Sequence, residues 1–483
     1  MATSGSGVGV RFGRASLWGT WATDRPCADD IDVRGLVAVD AAGPAALLTA
    51  DVCGMWPSTC TSLGDAVAAA LGTAPERVGI FCTQNHGAPM EGPGVYDLDR
   101  WRTAFVAAAH QALAAAQPAM VATIESVPTP AAVFRRRVPV PGLGRFTFYY
   151  GFEAGDPGQA RCDRLLDLAL RGLACGQETV VRHLPGPDPT RWPTPDLPVP
   201  SLTAPVLLPP APDPLLQGVF FRTPTGAPIG SLVRWSAHPV TANLAGGPHS
   251  GDYPAWLRRR LEERLGGGAL FLTGPCGDQA PLVDHKRVQL ADRLGTCLAD
   301  QLCARLAAAS WQPVSRLQAR SRRVCLPLRS DYPTSIDAAR TGREEARGAL
   351  RQAQSLVTRK RLAEQIERLS YTVDGHHQGW CGFRPEHTGG QLEHALFALA
   401  LGPVAVVGLP GEPFAAYSAQ VRQRFPGRVL LVAEEANGYL SYVPGADDFA
   451  DGGYGAAAAI LAPQAEPLLV DAASRLVTEV WGA

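Results

Sequence analysis

An α/β fold, with mixed sheets flanked by helices, is what this sequence predicts, and three observations point to it. Short apolar runs of strand length alternate with longer helical patterns along most of the chain. Four of those runs end in a compact polar cluster, which is where open α/β sheets place their chemistry. The composition allows a large core: 46% of the 483 residues are hydrophobic and 18% charged. Lys+Arg 44 balance Asp+Glu 45 to a formal net charge of -1, so the electrostatic footprint of a nucleic-acid binder is absent. Gly 51 and Pro 42 without a G-X-Y period fit a loop-rich globular protein and exclude collagen and coiled coil.

The opening MATSGSGVGVRFGRASLW has no apolar signal core, and no apolar run is long enough to span roughly 30 Å of hydrocarbon. Cys 11 is an odd count with no CxxC pair, which suggests neither a disulfide framework nor a zinc ribbon. The expectation is a cytoplasmic protein with no membrane span.

In chain order, LVAVDA (36–41) and AALLTADV (45–52) read as buried strands, followed by a helix over 61–72 and the strand RVGIF (77–81) running into CTQNHGAP. A helix rich in Ala over 98–116 precedes the strand MVATIESV, the basic segment FRRRVPVPGLGRF and a helix-like stretch near 160–173. Proline dominates 184–215, excluding helix or central strand there; an interdomain linker and a surface crossing are both open, and the crossing is favoured because strand patterns resume at once. GVFFRT (218–223) and IGSLVRWSA (229–237) read as a hairpin ending on His238. Helices over 254–265 and 286–308 flank the strand ALFLTG (269–274) and the turn PCGDQAP. Residues 335–370, nearly free of Gly and Pro, predict a helical excursion. The strand PVAVVGLP, a helix over 412–424, the strand RVLLVAEE, a glycine-punctuated loop and a helix over 465–480 complete the chain.

The polar clusters are TQNHGAP (83–89), AHPVT (237–241), PGEPF (410–414) and NGYLSY (437–442). If their strands share one sheet, their carboxyl ends bring His86, His238, Glu412 and Tyr442 to one crevice, and two imidazoles with a carboxylate can form a catalytic zinc shell.

The order and wording of these clusters resemble the catalytic domain of the neutral/alkaline non-lysosomal ceramidase family. FCTQNHGAP is similar to that family's strand ending in THTHSGP, and SLVRWSAHPVT to the strand ending in its second metal-binding His. HSGDYPAWLRRRLEE resembles its SGD-plus-helix segment, ALFLTGPCGDQAP its GDxSP turn, and VVGLPGEPFAAYSAQVR its PGE helix start. NGYLSYVPGADDFADGGYGA resembles its NxYxxYV loop, and ADDIDVRGLVAVD its early strand. The likeness spans about residues 28–460.

The resemblance implies a zinc held at the positions of Gln84, His238, Glu412 and Tyr442, with His86 acting on the substrate and Tyr454 as the downstream catalytic tyrosine. Asp252 and Asp278 fall on aspartates that brace ligand loops. Two positions depart from the pattern. Gln84 replaces an imidazole with an amide oxygen, a poorer zinc partner, so His86 is expected to complete the metal set by lying on the same side of a continuing strand. Ala280 replaces the serine of the GDxSP turn, which argues against activity on ceramide. Cys276 stands nearby as a substitute nucleophile or, more simply, a buried thiol. His249 is a candidate substrate contact, as is Arg136 with its neighbours Arg135 and Arg137, an exposed basic hairpin being the alternative. His376 and His377 could line the crevice.

The expectation is therefore one large neutral-ceramidase-like catalytic domain over 1–483, without the family's carboxyl-terminal immunoglobulin-like domain. Its function would be that of a zinc-dependent hydrolase, one zinc per chain, acting on an amide-like bond of a small-molecule substrate, with Tyr454 or His86 assisting proton transfer. The alternative is a fold-retaining relative that binds a ligand, is inactive, or works as a transferase. The oligomeric state is not readable.

Overall fold

The described residues of the computed structural model are 7–21, 23–88, 91, 96–129, 132–148, 163–178, 193–200, 208–243, 246–283, 286–375 and 389–482. Three sheets carry the architecture. The first runs in the order Val78–Cys82, Gly43–Ala50, Asp32–Asp40, Gly9–Ser16 and Gln117–Pro118. The second runs Gly268–Thr273, Pro228–Trp235, Leu216–Arg222, Met120–Ser126 and Gln312–Pro313. The third holds Leu317–Pro327, Gln391–Leu401, Val404–Gly408 and Val429–Ala433.

Each sheet contains one parallel pair, and a parallel pair needs a crossover connection. The helix Pro57–Leu71 lies between Gly43–Ala50 and Val78–Cys82. Asp252–Leu265 lies between Pro228–Trp235 and Gly268–Thr273, and Ala416–Arg422 between Val404–Gly408 and Val429–Ala433. The inner faces of all three sheets meet in a common core: Phe12, Leu36 and Phe81 from the first, Phe221, Leu232 and Leu270 from the second, Phe397, Val406 and Leu431 from the third. The outer faces bury the helices. Leu63, Val67, Phe105 and Ala108 cover the first sheet, Leu257 and Leu298 the second, and Leu469, Leu476 and Val480 the third.

The polar clusters therefore end strands of three different sheets, which corrects the expectation of one shared sheet. The local pattern of apolar run, polar cluster and helix is the same in all three and carries no information about which strands pair. The long antiparallel pair Leu317–Pro327 with Gln391–Leu401 has no counterpart in the sequence reading, because the exposed arginines Arg320, Arg322 and Arg323 interrupt the apolar pattern of its first strand. The helix expected from 412 starts at Ala416, since Glu412–Pro413 instead pairs in parallel with Tyr442–Val443. The excursion over 335–370 is two packed helices, Ile336–Gln352 and Leu356–Ser370, whose first turns are capped by Ser335 and Ser355, followed by the π-helical turn Tyr371–Gly375. Within 184–215 the described residues form neither helix nor named strand.

Candidate functional site

The carboxyl ends of the three parallel pairs converge. The first sheet brings Asp51, Cys53 and the Thr83–His86 loop, the second brings His238 and Cys276–Asp278, and the third brings Glu412 and Glu434–Tyr442. Several of these loops take left-handed backbone at residues other than glycine, with φ of 59° at Gln84, 55° at Asp252, 54° at Glu435 and 60° at Ser441. Such conformations persist where the surroundings over-determine them. The turns are also tight. A Cβ at Gly411, whose φ is 56°, would lie 2.4 Å from the Ser441 carbonyl, and one at Gly277 2.4 Å from the Glu412 carbonyl.

His238 is fully buried. Its Nδ1 lies 2.9 Å from the Cys276 carbonyl, which can only accept, so Nδ1 carries the proton and Nε2 presents a bare lone pair. Burial, with Arg136 nearby, holds the ring well below the usual histidine range and keeps it neutral. The Nε2 lone pair faces Glu412 Oε2 at 3.0 Å, and neither atom has a hydrogen-bond partner. Burial raises the Glu412 carboxyl, opposed by Arg136, by His86 and by hydrogen bonds from Tyr442 and Tyr439.

Tyr442 lies parallel to His238, with ring centroids 6.5 Å apart. Its hydroxyl accepts from Arg136 Nη2 at 2.9 Å, and the same Nη2 donates to the Gly277 carbonyl at 2.7 Å. Arg136 and Arg137 are buried, which overturns the exposed-hairpin alternative; Arg137 pairs with Asp448. Tyr454 packs edge-on to Tyr442 at 5.0 Å, and its hydroxyl contacts that of Tyr371. His238, Glu412, Tyr442, Arg136 and Tyr454 thus form one continuous cluster.

His86 stands beside it, its ring 5.5 Å from His238, and burial followed by His238 pushes it down to about 3. The strand ends at Cys82 and Gln84 turns left-handed, so residues 84 and 86 do not alternate on a continuing strand as expected. His86 Nδ1 instead donates to the Gln84 carbonyl at 2.9 Å, and Cys53 Sγ lies 3.7 Å from both ring nitrogens. The Gln84 side-chain oxygen lies 3.3 Å from Cys276 Sγ, whose one proton goes to Glu434 Oε1 at 2.9 Å, while the amide Nε2 is buried without a partner. The amide thus turns its metal-binding atom toward sulfur.

Asp278 accepts from the Ala415 amide and from Arg135 Nε, both at 2.7 Å, which braces the loop after Glu412. Asp252 accepts from the Ala242 and Tyr253 amides at 2.6 Å, which braces the loop after His238; burial raises its carboxyl to about 6. His249 ties Thr23 to the Gly87 carbonyl through its two ring nitrogens. Ala280 packs among Phe134, Val138 and Phe146. The Cys276 thiol is fully buried and pushed well above the usual range by burial and by Glu434, the state of a structural thiol rather than a nucleophile. His376 and His377 lie outside the described residues.

Sequence reasoning missed Cys53, Tyr371, Tyr439 and the adjacent buried pair Glu434 and Glu435. Two carboxylates closing the apolar run RVLLVA were a legible signal, whereas nothing local marks Cys53 or Tyr371.

As a metal centre the donor set fits in part. The bare Nε2 of His238 and the partnerless Oε2 of Glu412 are a matched pair of ligand atoms, with the Tyr442 phenol adjoining. Among the described residues, no three His, Cys, Asp or Glu side chains are gathered closely enough to hold a metal as they stand.

No protein-family model and no curated protein matches the chain. Among solved structures, neutral ceramidase from Pseudomonas aeruginosa is similar with a TM-score of 0.63 and 14% identity, covering 98% of this chain and 75% of that one. A ceramidase complexed with C2 gives 0.62 and 14%, covering 98% and 76%. At this identity the likeness is one of fold: the chain has a ceramidase-like α/β architecture. No helix among the described residues is long and apolar enough to cross a membrane.

Proposed function

We propose that the chain is a metal-dependent hydrolase acting on an amide-like bond of a small molecule other than ceramide. The observation that carries this reading is the 3.0 Å approach of His238 Nε2 to Glu412 Oε2 without a hydrogen bond. Two lone pairs held together in a buried site repel unless a cation or a proton lies between them. His238, Glu412 and Tyr442 would hold zinc, one ion per chain, with His86 beside them. When bound, zinc supplies Lewis-acid polarisation of a carbonyl and of water.

The chain's own groups supply the rest. Arg136 donates to the Tyr442 oxygen and so favours the phenolate form a ligand needs. His86 has Nδ1 committed to a carbonyl, so its Nε2 would accept a hydrogen bond from an attacking water and orient it. The Tyr454 hydroxyl, next to that of Tyr371, would return a proton to a leaving nitrogen. Gln84 Nε2, buried and without a partner, can donate to a substrate oxygen.

Two features favour the alternative of a relative that has lost zinc hydrolysis. The amide at the family's first ligand position is turned to Cys276, and the position of the turn serine is an apolar packing site. Elemental analysis under zinc-replete conditions separates the two, using wild type beside His238→Ala and Glu412→Ala. One zinc in wild type and loss in both variants supports the hydrolase reading; equal, negligible zinc in all three ends it. The hydrolysis assay uses a panel of soluble N-acyl amines.

A further inference from the structure

We propose that Glu434 is a positioning residue: it clamps Cys276 across two sheets and thereby sets the tautomer of His238. The inference deepens the reading of the same site and rests on that reading for its use.

Glu434 follows the strand Val429–Ala433 of the third sheet, while Cys276 follows Gly268–Thr273 of the second. The two carboxylate oxygens divide the work. Oε2 accepts from the Cys276 backbone N–H at 2.9 Å, and Oε1 accepts from its thiol, also at 2.9 Å. The Glu434 amide in turn donates to the Thr273 carbonyl at 2.9 Å, so the clamp is anchored at both ends.

From Cys276 the effect reaches His238. With the thiol proton directed to Glu434, the sulfur faces His238 Nδ1 at 3.1 Å as an acceptor, beside the Cys276 carbonyl at 2.9 Å, so the Nδ1–H is held there and Nε2 is left bare toward Glu412. The same sulfur lies 3.3 Å from the Gln84 side-chain oxygen. Within its own turn the Cys276 carbonyl also accepts from the Gln279 amide at 2.8 Å. Glu434 adds to the registry of that turn against the third sheet, which carries Glu412 and is also tied to the turn by the Gly277 amide on the Pro413 carbonyl at 2.9 Å and by Asp278 on the Ala415 amide at 2.7 Å. A fully buried carboxyl is expensive in desolvation, and a leucine would fill similar space without that penalty. A leucine could accept neither hydrogen bond.

The test uses the full chain carrying 15N-labelled histidine, first without metal, in wild type, Glu434→Leu and Glu434→Gln, with His238→Ala identifying the resonance. Wild type should show His238 protonated at Nδ1 alone. In Glu434→Leu the His238 signals should move toward a mixture of tautomers, and zinc affinity should fall about 10- to 100-fold, as for lost partners of metal ligands. Glu434→Gln keeps one acceptor oxygen and should recover part of both. If Glu434→Leu fails to fold, Glu434→Gln decides: an unchanged tautomer signature and unchanged zinc affinity overturn the inference. An Nε2–H tautomer in wild type also overturns it. A wild type with the Nδ1–H tautomer that shifts in the variants but binds no zinc leaves the positioning role standing and removes the metal-hydrolase reading.

Discussion

The convergence of loops from separate sheets makes the ties between those sheets decisive, and the pair Asp51–Arg258 gives the sharpest test. Asp51 closes the strand Gly43–Ala50, beside the loop that carries His86; Arg258 comes from the helix Asp252–Leu265 packed on the sheet that carries His238. Both side chains are buried, and they meet in two parallel bonds, Nη1 to Oδ1 at 2.7 Å and Nη2 to Oδ2 at 2.6 Å. Asp51 Oδ2 also accepts from the Asp32 amide at 3.0 Å, and Oδ1 from the Thr83 hydroxyl at 3.3 Å. Replacing Arg258 with Met preserves much of the packed volume but leaves the carboxylate buried with two weaker neutral donors. Removing one partner of a buried pair in this way typically costs about 3–5 kcal/mol, against about 0–1 kcal/mol for an exposed pair. Arg258→Met is therefore expected to lower the urea midpoint by an amount corresponding to about 3–5 kcal/mol, read by circular dichroism with an unchanged m-value. Because the pair sets His86 against His238, zinc affinity should fall with it under conditions where the variant is folded. Replacing both members, Asp51→Asn with Arg258→Met, should recover part of the loss, since no unpaired charge remains. A loss below about 1 kcal/mol for Arg258→Met would refute the reasoning, because the pair would then be behaving as if solvated.

Other outcomes are expected from single sites. Burial pushes His394 down to about 4, so it stays neutral in the fold and binds its proton near 6.5 when unfolded. Its contribution is therefore present above pH 6.5 and lost as pH falls toward 4, about 2–3 kcal/mol between pH 7.5 and 4.5; His394→Gln should flatten that acid limb of the stability curve, and an unchanged slope would count against it. Ala280→Ser places a hydroxyl among Phe134, Val138 and Phe146 and should destabilise by about 1–3 kcal/mol without creating ceramide hydrolysis; fatty-acid release from a labelled ceramide would show otherwise. Tyr442→Phe removes the acceptor of Arg136 Nη2 and an adjoining ligand oxygen, so zinc affinity in competition with a chelator should drop by at least tenfold while the chain stays folded. Asp278→Asn weakens the tie to Arg135 and should lower zinc affinity less than Glu412→Ala does; an equal loss would place Asp278 among the ligands rather than behind them.

The sequence by itself determined the local units of this protein. Apolar runs ending in polar clusters located Val78–Cys82, Pro228–Trp235 and Val404–Gly408, and the low Gly and Pro content of 335–370 located the helical pair, because periodicity and backbone propensity act over a few residues. Its polar clusters also named His238, Glu412 and Tyr442, and the family resemblance added Tyr454 and Arg136; the fold brings all five into one cluster. Which strands pair was decided only in three dimensions: an apolar strand buried on both faces reads the same in any sheet, so the division into three sheets meeting at one core could not be read locally. The turn at Gln84 depended on tertiary packing too, since a left-handed residue at φ 59° is held by its surroundings and leaves no mark in the string of letters. Cys53 and Tyr371 stayed hidden for the same reason, and the partner of Glu434, though not its place after an apolar run, did too. Their chemistry comes from partners far away in sequence, such as Cys276 for Glu434 and Tyr454 for Tyr371, and only the folded chain puts those atoms in contact.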